Sequence, residues 1–182
     1  MLASPVIAAI ALKIRLEGDG PIIYGGRRVG MGGREFRMYK FRSMVPNADR
    51  VGGPNTPDDD PRLTSTGRFL RRYKLDELPQ LVNVLRGDMS FVGPRPQVPG
   101  EVAGYTPDER DLLLVRPGIT DWASLRFSNE GEILAGHADP DSAYAQLIRP
   151  EKMRLGLEYV RKGTFRDDLD ILVKTAMVPF RK

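Results

Sequence analysis

Residues 2–12, Leu-Ala-Ser-Pro-Val-Ile-Ala-Ala-Ile-Ala-Leu, are apolar almost all round, and the run stops abruptly at Lys13 and Arg15. No other feature restricts the fold of this 182-residue chain as strongly, because a helix without a polar face must be covered by something. The run is too short to span a bilayer, which takes about 20 apolar residues. Its positive charges follow the apolar stretch instead of preceding it, the wrong order for a secretory signal. Two expectations remain: an interfacial or re-entrant membrane anchor, or a helix buried in an oligomer.

After the breaker Gly18-Asp19-Gly20-Pro21, residues 22–24 and 35–42 read as two strands, the second alternating apolar and charged positions. The glycine-rich basic stretch 25–34 between them makes a hairpin with a long tip, either a phosphate cradle or a plain turn. Residues 51–61 carry too many Gly, Pro and Asp for regular structure and read as a mobile surface loop. A short basic helix over 66–73, with Thr66 as N-cap, precedes a second helix over 76–85. That second helix carries Leu78, Leu81, Val82 and Leu85 at helical spacing, so these should form its buried face. Further helices are expected over 107–114, 150–160 and 167–177, the last with Leu169, Leu172, Val173 and Ala176 on one face. The length suits one core. The expected fold is mixed α/β (α+β), a mostly helical single domain with a small β-hairpin; residues 1–16 form a partial membrane-associated helix and 17–182 the main domain.

With no cysteine in the chain, disulfides, thiolate metal sites and cysteine nucleophiles are excluded. The single histidine, His137, lies in a Gly/Ala/Asp/Pro stretch, so a serine-histidine triad or a multi-histidine metal site is not expected. Chemistry has to run on carboxylates, Lys, Arg or a hard cation. The net charge of +4 suits anionic partners without choosing among them. Asp76-Glu77 is the sharpest candidate, a carboxylate pair between a basic segment holding Arg68, Arg71 and Arg72 and an apolar one. These carboxylates can simply cap a helix. The same geometry, a helix start beside arginines, is also a phosphate site. Lys40 and Arg42 on a strand, Arg95 held between Pro94 and Pro96, and Asp167-Asp168 are weaker candidates singly. Together they supply a carboxylate nucleophile, a second carboxylate for a hard cation, and phosphate-binding cations, the parts of a phosphoryl transfer.

The run from Leu75 through Asp76-Glu77-Leu78-Pro79-Gln80 to Ser90, then Val92-Gly93-Pro94-Arg95-Pro96, resembles the monotopic polyprenyl-phosphate phosphoglycosyl transferases, or bacterial sugar transferases. Gly20-Pro21-Ile22-Ile23-Tyr24, Tyr39-Lys40-Phe41-Arg42-Ser43-Met44, Arg116-Pro117-Gly118-Ile119-Thr120 and Asp168-Leu169-Asp170 extend the resemblance over most of the chain. It implies that Asp76 attacks the β-phosphate of a UDP-sugar, that UMP leaves, and that polyprenyl phosphate collects the sugar phosphate, as in the first step of exopolysaccharide, O-antigen, capsule or glycoprotein glycan assembly. It further implies that Asp76 and Glu77 bind Mg2+ and that Lys40, Arg42, Arg68, Arg71 and Arg95 surround the phosphates. Ser4-Pro5 resembles the point where the family's membrane helix bends back, which implies membrane lipid as a partner and the cytoplasmic face of the inner membrane as location. A homodimer is compatible with the sequence. Family members often carry an aspartate at the position of Gly156, which sets that site apart, and sugar selectivity is expected in residues 121–136. The rival readings are a nucleotide-sugar-binding assembly subunit without turnover and a nucleic-acid-binding module. The second lacks interleaved aromatic residues, so nucleic acid is not an expected partner.

Overall fold

A computed structural model describes residues 3–53 and 55–178; Met1, Leu2, Pro54 and residues 179–182 lie outside the described residues. Helix α1 (Ala3–Leu16) takes up the rest of the apolar run. Ser4 and Pro5 fall in its first turn, where a proline removes no intrahelical hydrogen bond. Ile10 and Ile14 bury against Phe41 and Leu70, while Val6, Ile7, Leu12 and Leu16 stay exposed. Among the described residues no helix is long and apolar enough to cross a membrane.

Strands β1 (Ile23–Val29) and β2 (Glu35–Phe41) pair antiparallel, Tyr24 opposite Lys40 and Val29 opposite Glu35. The expected long tip shrinks to residues 30–34, because 25–29 continue the ladder and so satisfy their backbone groups. An ion pair from Arg27 to Glu35 closes that end at 2.6 Å. The loop 51–61 holds no regular element, as its composition demands, yet it is tied down. Asp60 is buried in an ion pair with Arg62 at 2.7 Å. Asn55 bonds Asp141, and the Asp58 N–H reaches the Gly131 carbonyl.

Helix α2 (Ser65–Arg72) starts one residue earlier than expected. Its N-cap is Thr64, whose hydroxyl accepts from the Gly67 N–H; Thr66 is buried in the first turn and its N–H donates to Glu17. The single helix expected over 76–85 is two pieces, a 3-10 turn (Leu75–Glu77) and, after Pro79, helix α3 (Gln80–Leu85). The break rotates the buried face. Leu81 and Val82 are exposed and Leu85 is 88% exposed, whereas Gln80 and Asn83 are fully buried. Asn83 has a reason to be there: its amide accepts from the Tyr39 N–H at 3.0 Å and donates to the Arg37 carbonyl at 2.8 Å, supplying β2 with the edge partner that another strand would give.

Strand β3 (Ser90–Val92) leads into the Gly93-Pro94-Arg95-Pro96 segment and helix α4 (Pro99–Ala103). A 3-10 helix (Glu109–Leu114) replaces the expected α-helix over 107–114. Strand β4 (Gly118–Thr120) pairs parallel with β3, a second small sheet that the sequence pattern did not announce. Helices α5 (Trp122–Arg126), α6 (Glu130–Leu134), α7 (Pro140–Leu147), α8 (Arg149–Lys162) and α9 (Phe165–Met177) complete the chain. Helix α8 contains its expected span, 150–160, and runs one residue further at its start and two at its end. In α9 the buried residue is Ile171, while Leu169, Leu172 and Val173 are exposed, because the helix meets β3, β4 and α5 along a narrow line. Asp167 closes a capping box with Thr164.

Among the described residues about 53% are helical, so the mixed, mostly helical expectation holds. The expected single core does not. Among the described residues the buried apolar side chains form three small clusters, around Phe41 and Leu70, around Leu134 and Ile148, and around Leu112 and Met153. Elements this short bury little each, and residues of the first two clusters, Leu78, Phe127 and Tyr144, border a cleft.

Candidate active site

The centre of that cleft is the turn that carries Asp76 and Glu77. Lys74, just before it, adopts a left-handed conformation with φ +57°, which side-chain-bearing residues disfavour and which reverses the chain after α2. Asp76 is only 4% exposed, and among the described residues no side-chain hydrogen bond to its carboxylate is formed. Burial pushes its carboxyl above the usual aspartate range; Lys40 opposes this, Glu77 adds to it, and Arg71 and Lys74 oppose it further.

Glu77 is held differently. Its Oε1 accepts from Lys40 Nζ at 2.9 Å and from Arg95 Nη2, and Arg95 Nη1 reaches Oε2. Burial alone would raise its carboxyl, but Arg95 and Lys40 outweigh that and hold it well below the usual carboxylate range. Lys40 comes from the end of β2. Arg95 comes from the turn after β3, and two glycines fix that turn. A Cβ on Gly118 would collide with the Gly93 N–H, and one on Gly93, at φ +155°, would lie 2.5 Å from the Arg116 carbonyl. Only glycines allow the two motifs this approach.

The cleft encloses about 1500 Å³ and brings together Asp76, Glu77, Lys40, Arg68, Arg71 and Arg95 from the sequence reading. Arg71 is steadied by the Thr56 carbonyl at 3.2 Å. Arg42 does not join them. It is buried, and its guanidinium donates to the carbonyls of Ile14, Gly18 and Asp19, closing the C-terminal end of α1. The open carbonyls of a helix end carry partial negative charge, and a buried cation satisfies them.

Sequence reasoning missed Arg28, Lys74, Trp122, Glu130 and Lys152, all of which line the cleft. Arg28 and Lys74 had a signal in their closeness to recognised motifs, and Trp122 and Glu130 fall within residues 121–136, marked out only as a region; Lys152, far from the dyad in the chain, had none. The hairpin tip itself stays out of the cleft, and so do His137 and Gly156. Gly156 is buried against the 3-10 helix before β4, where an added Cβ would meet Leu112 at 2.8 Å. A glycine here serves packing.

Among the described residues no three acidic or histidine side chains gather as a metal site. Two adjacent carboxylates fit a magnesium ion that takes its remaining oxygen ligands from substrate phosphates and water, which is the common arrangement for that ion. Of the two, Asp76 is open to it, while Glu77 already carries two cationic partners.

A family model described as Bacterial sugar transferase matches residues 1–182. The chain belongs to the bacterial sugar transferase family. Its relatives include undecaprenyl-phosphate galactose phosphotransferase of Salmonella typhimurium, 38% identical over 100% of this chain and 38% of the relative. UDP-glucose:undecaprenyl-phosphate glucose-1-phosphate transferase of Escherichia coli is 39% identical over 99% of this chain and 37% of its own length. A Bacillus subtilis protein described as a putative undecaprenyl-phosphate N-acetylgalactosaminyl 1-phosphate transferase is 47% identical over 58% of this chain and 63% of its own. The chain thus spans little more than a third of the first two relatives. The dyad segment and the Gly93 to Pro96 turn that carry the family likeness are the ones that build the cleft's centre.

Proposed function

We propose that the chain moves a sugar 1-phosphate from a UDP-sugar onto a polyprenyl phosphate of the undecaprenyl kind, in two steps through Asp76. The observation that carries this reading is a buried aspartate carboxylate without a side-chain hydrogen bond among the described residues, set among Lys40, Arg71, Lys74 and Arg95 in an open cleft. The same cations that favour the charged carboxylate can hold an anionic substrate within its reach. In the first step an Asp76 oxygen bonds to the β-phosphorus and the bond from that phosphorus to the bridging oxygen breaks. UMP leaves with the electron pair, and the sugar phosphate stays on Asp76 as an acyl phosphate. In the second, a phosphate oxygen of the lipid attacks the same phosphorus, the bond to Asp76 breaks, and the carboxylate returns.

The cations do the electrostatic work. Lys40 and Arg95 fix Glu77 and, with Arg71 and Lys74, neutralise the diphosphate and the charge growing on UMP. A magnesium ion held by Asp76 and Glu77 would supply further charge neutralisation on the diphosphate. The exposed Val6, Ile7, Leu12 and Leu16 of α1, followed by Lys13 and Arg15, favour an interfacial seat on the cytoplasmic face of the inner membrane, where a lipid acceptor is found.

The test is UMP release from a panel of UDP-sugars with magnesium and polyprenyl phosphate in detergent. Asp76→Asn is expected to lower it about a thousandfold or more. Turnover retained in that variant would overturn the nucleophile assignment, and donor binding without UMP release in the unaltered protein would leave a binding subunit instead.

A further inference from the structure

The cleft is chemically two-sided. Around Asp76 its lining is cationic, with Arg28, Lys40, Arg71, Lys74 and Arg95. The opposite wall, from α4, α6, α7 and α8, presents Glu101, Glu130, Tyr144 and Lys152. Here the carboxylates do not face a surplus of cations. Lys152 donates to Glu130 Oε2 and sits over the Tyr144 ring, 5.0 Å from its centroid, with its side chain only 10% exposed. Glu101 lies in an ion pair with Arg149 at 3.3 Å, and Arg149 is shared with Glu109 at 2.9 Å.

A diphosphate avoids such a wall, because its carboxylates repel it. What the wall does offer is a carboxylate acceptor and an ammonium donor side by side, immobilised on an aromatic face, which is the chemistry that reads a hydroxyl-bearing neutral group. Its position selects which group. Glu130 and Lys152 line the same cleft as Arg95, and Arg95 grips Glu77 beside Asp76, so the wall borders the space into which the reacting phosphate is brought. The sugar is the group joined directly to that phosphate.

The geometry points to Glu130 and Lys152, braced by Tyr144, as the residues that contact the sugar of the donor and decide which sugar is accepted. This rests on the transferase reading above. A site built to bond a particular hydroxyl rejects a sugar that lacks it or turns it away, since the buried partners are then left unpaired. The pair would therefore discriminate epimers by tens of fold, while a surface that only excluded water would not.

The experiment measures dissociation constants of UDP, UDP-glucose, UDP-galactose and their two N-acetylamino counterparts in magnesium. It compares the unaltered chain with Glu130→Gln, which keeps the shape, and Lys152→Met, with melting temperature as the fold check. The expected result is UDP affinity within about twofold, with the gain in affinity that the preferred sugar gives over UDP reduced about tenfold or more and the ranking of sugars flattened. Equal weakening of UDP and of every UDP-sugar would overturn the inference, because the wall would then hold the nucleoside. An unchanged ranking in a folded Glu130→Gln protein would overturn it as well. The readout is binding, so failure of the transferase reading, seen as sugar-selective binding without UMP release in the unaltered protein, is a separate result that leaves this comparison decided.

Discussion

Two carboxylates, Glu17 and Asp76, each stand beside the start of a helical segment, and they have opposite fates. Glu17 accepts from the Ser65 hydroxyl at 2.6 Å and the Thr66 N–H at 2.9 Å, in the first turn of α2. Partial burial works against its charge, but Ser65 and Thr66 outweigh it and the carboxyl is pushed down to about 2. Asp76 finds no donor in its own turn, and burial pushes it up in spite of the cations around it. The difference is one of supply. Where backbone N–H groups and hydroxyls meet a carboxylate, it is a fastener; where side-chain cations held by other partners stand around it, its oxygens stay uncommitted.

The comparison breaks most sharply on substitution of each carboxylate by its amide. Asp76→Asn is expected to cost about a thousandfold or more in UMP release while melting at or slightly above the temperature of the unaltered protein, because a buried charge is removed. A clear loss of melting temperature would mean that Asp76 is a fastener too. Next comes Arg42→Met, which strands the Ile14, Gly18 and Asp19 carbonyls. A loss of about 2–4 kcal/mol in chemical denaturation is expected, with turnover per folded molecule retained. If turnover falls without a stability loss, Arg42 belongs to the phosphate site after all.

Glu17→Gln is expected to cost about 1 kcal/mol at pH 7, the exposed setting screening the rest, with turnover unchanged. The sign follows from the depressed carboxyl. Its stabilisation is complete above about pH 4.5, the ordinary glutamate value, and is lost as pH falls toward 2. Denaturation curves of the two proteins should therefore converge near pH 2, and a constant gap would remove the ionic explanation. The smallest effect is expected from Lys74→Gly, where relief of the left-handed strain offsets the extra freedom of glycine when unfolded, leaving stability within about 0.5 kcal/mol. Donor affinity should fall through the lost cation, and equal affinity would show that Lys74 serves only the turn.

How much of this was readable beforehand depends on whether a residue's neighbours are local. The helices over 150–162 and 165–177 have caps and periodicity written within a few residues, and the dyad and the Gly93 to Pro96 turn carry motifs that place them. Arg42 and Arg95 look alike in sequence, each a basic residue beside a strand end or turn. They are separated only by what lies across from them, three carbonyls at and just beyond the end of α1 or the carboxylate of Glu77. The same holds for α3, where Leu81 and Leu85 had the helical spacing of a buried face. Pro79 interrupts that helix, and β2 needs the amide of Asn83 more than it needs a leucine. Ile171 took the interior of α9 in place of its apolar neighbours because the surface it meets is narrow. Periodicity reports which residues can be buried, and the partner surface decides which are.

The Gly93–Gly118 contact has a consequence for anyone who would exchange parts among members of this family. Arg95 and the start of the segment leading to Trp122 and Glu130 are one joint, although Gly93 and Gly118 lie 25 positions apart in the chain. A graft that brings in a foreign sugar-facing segment with its own strand β4, but leaves the host's Gly93 turn in place, mates two halves of a hinge cut on different templates. The boundaries of a transferable cassette therefore lie before Val92 and after Lys152, so that both glycines travel together.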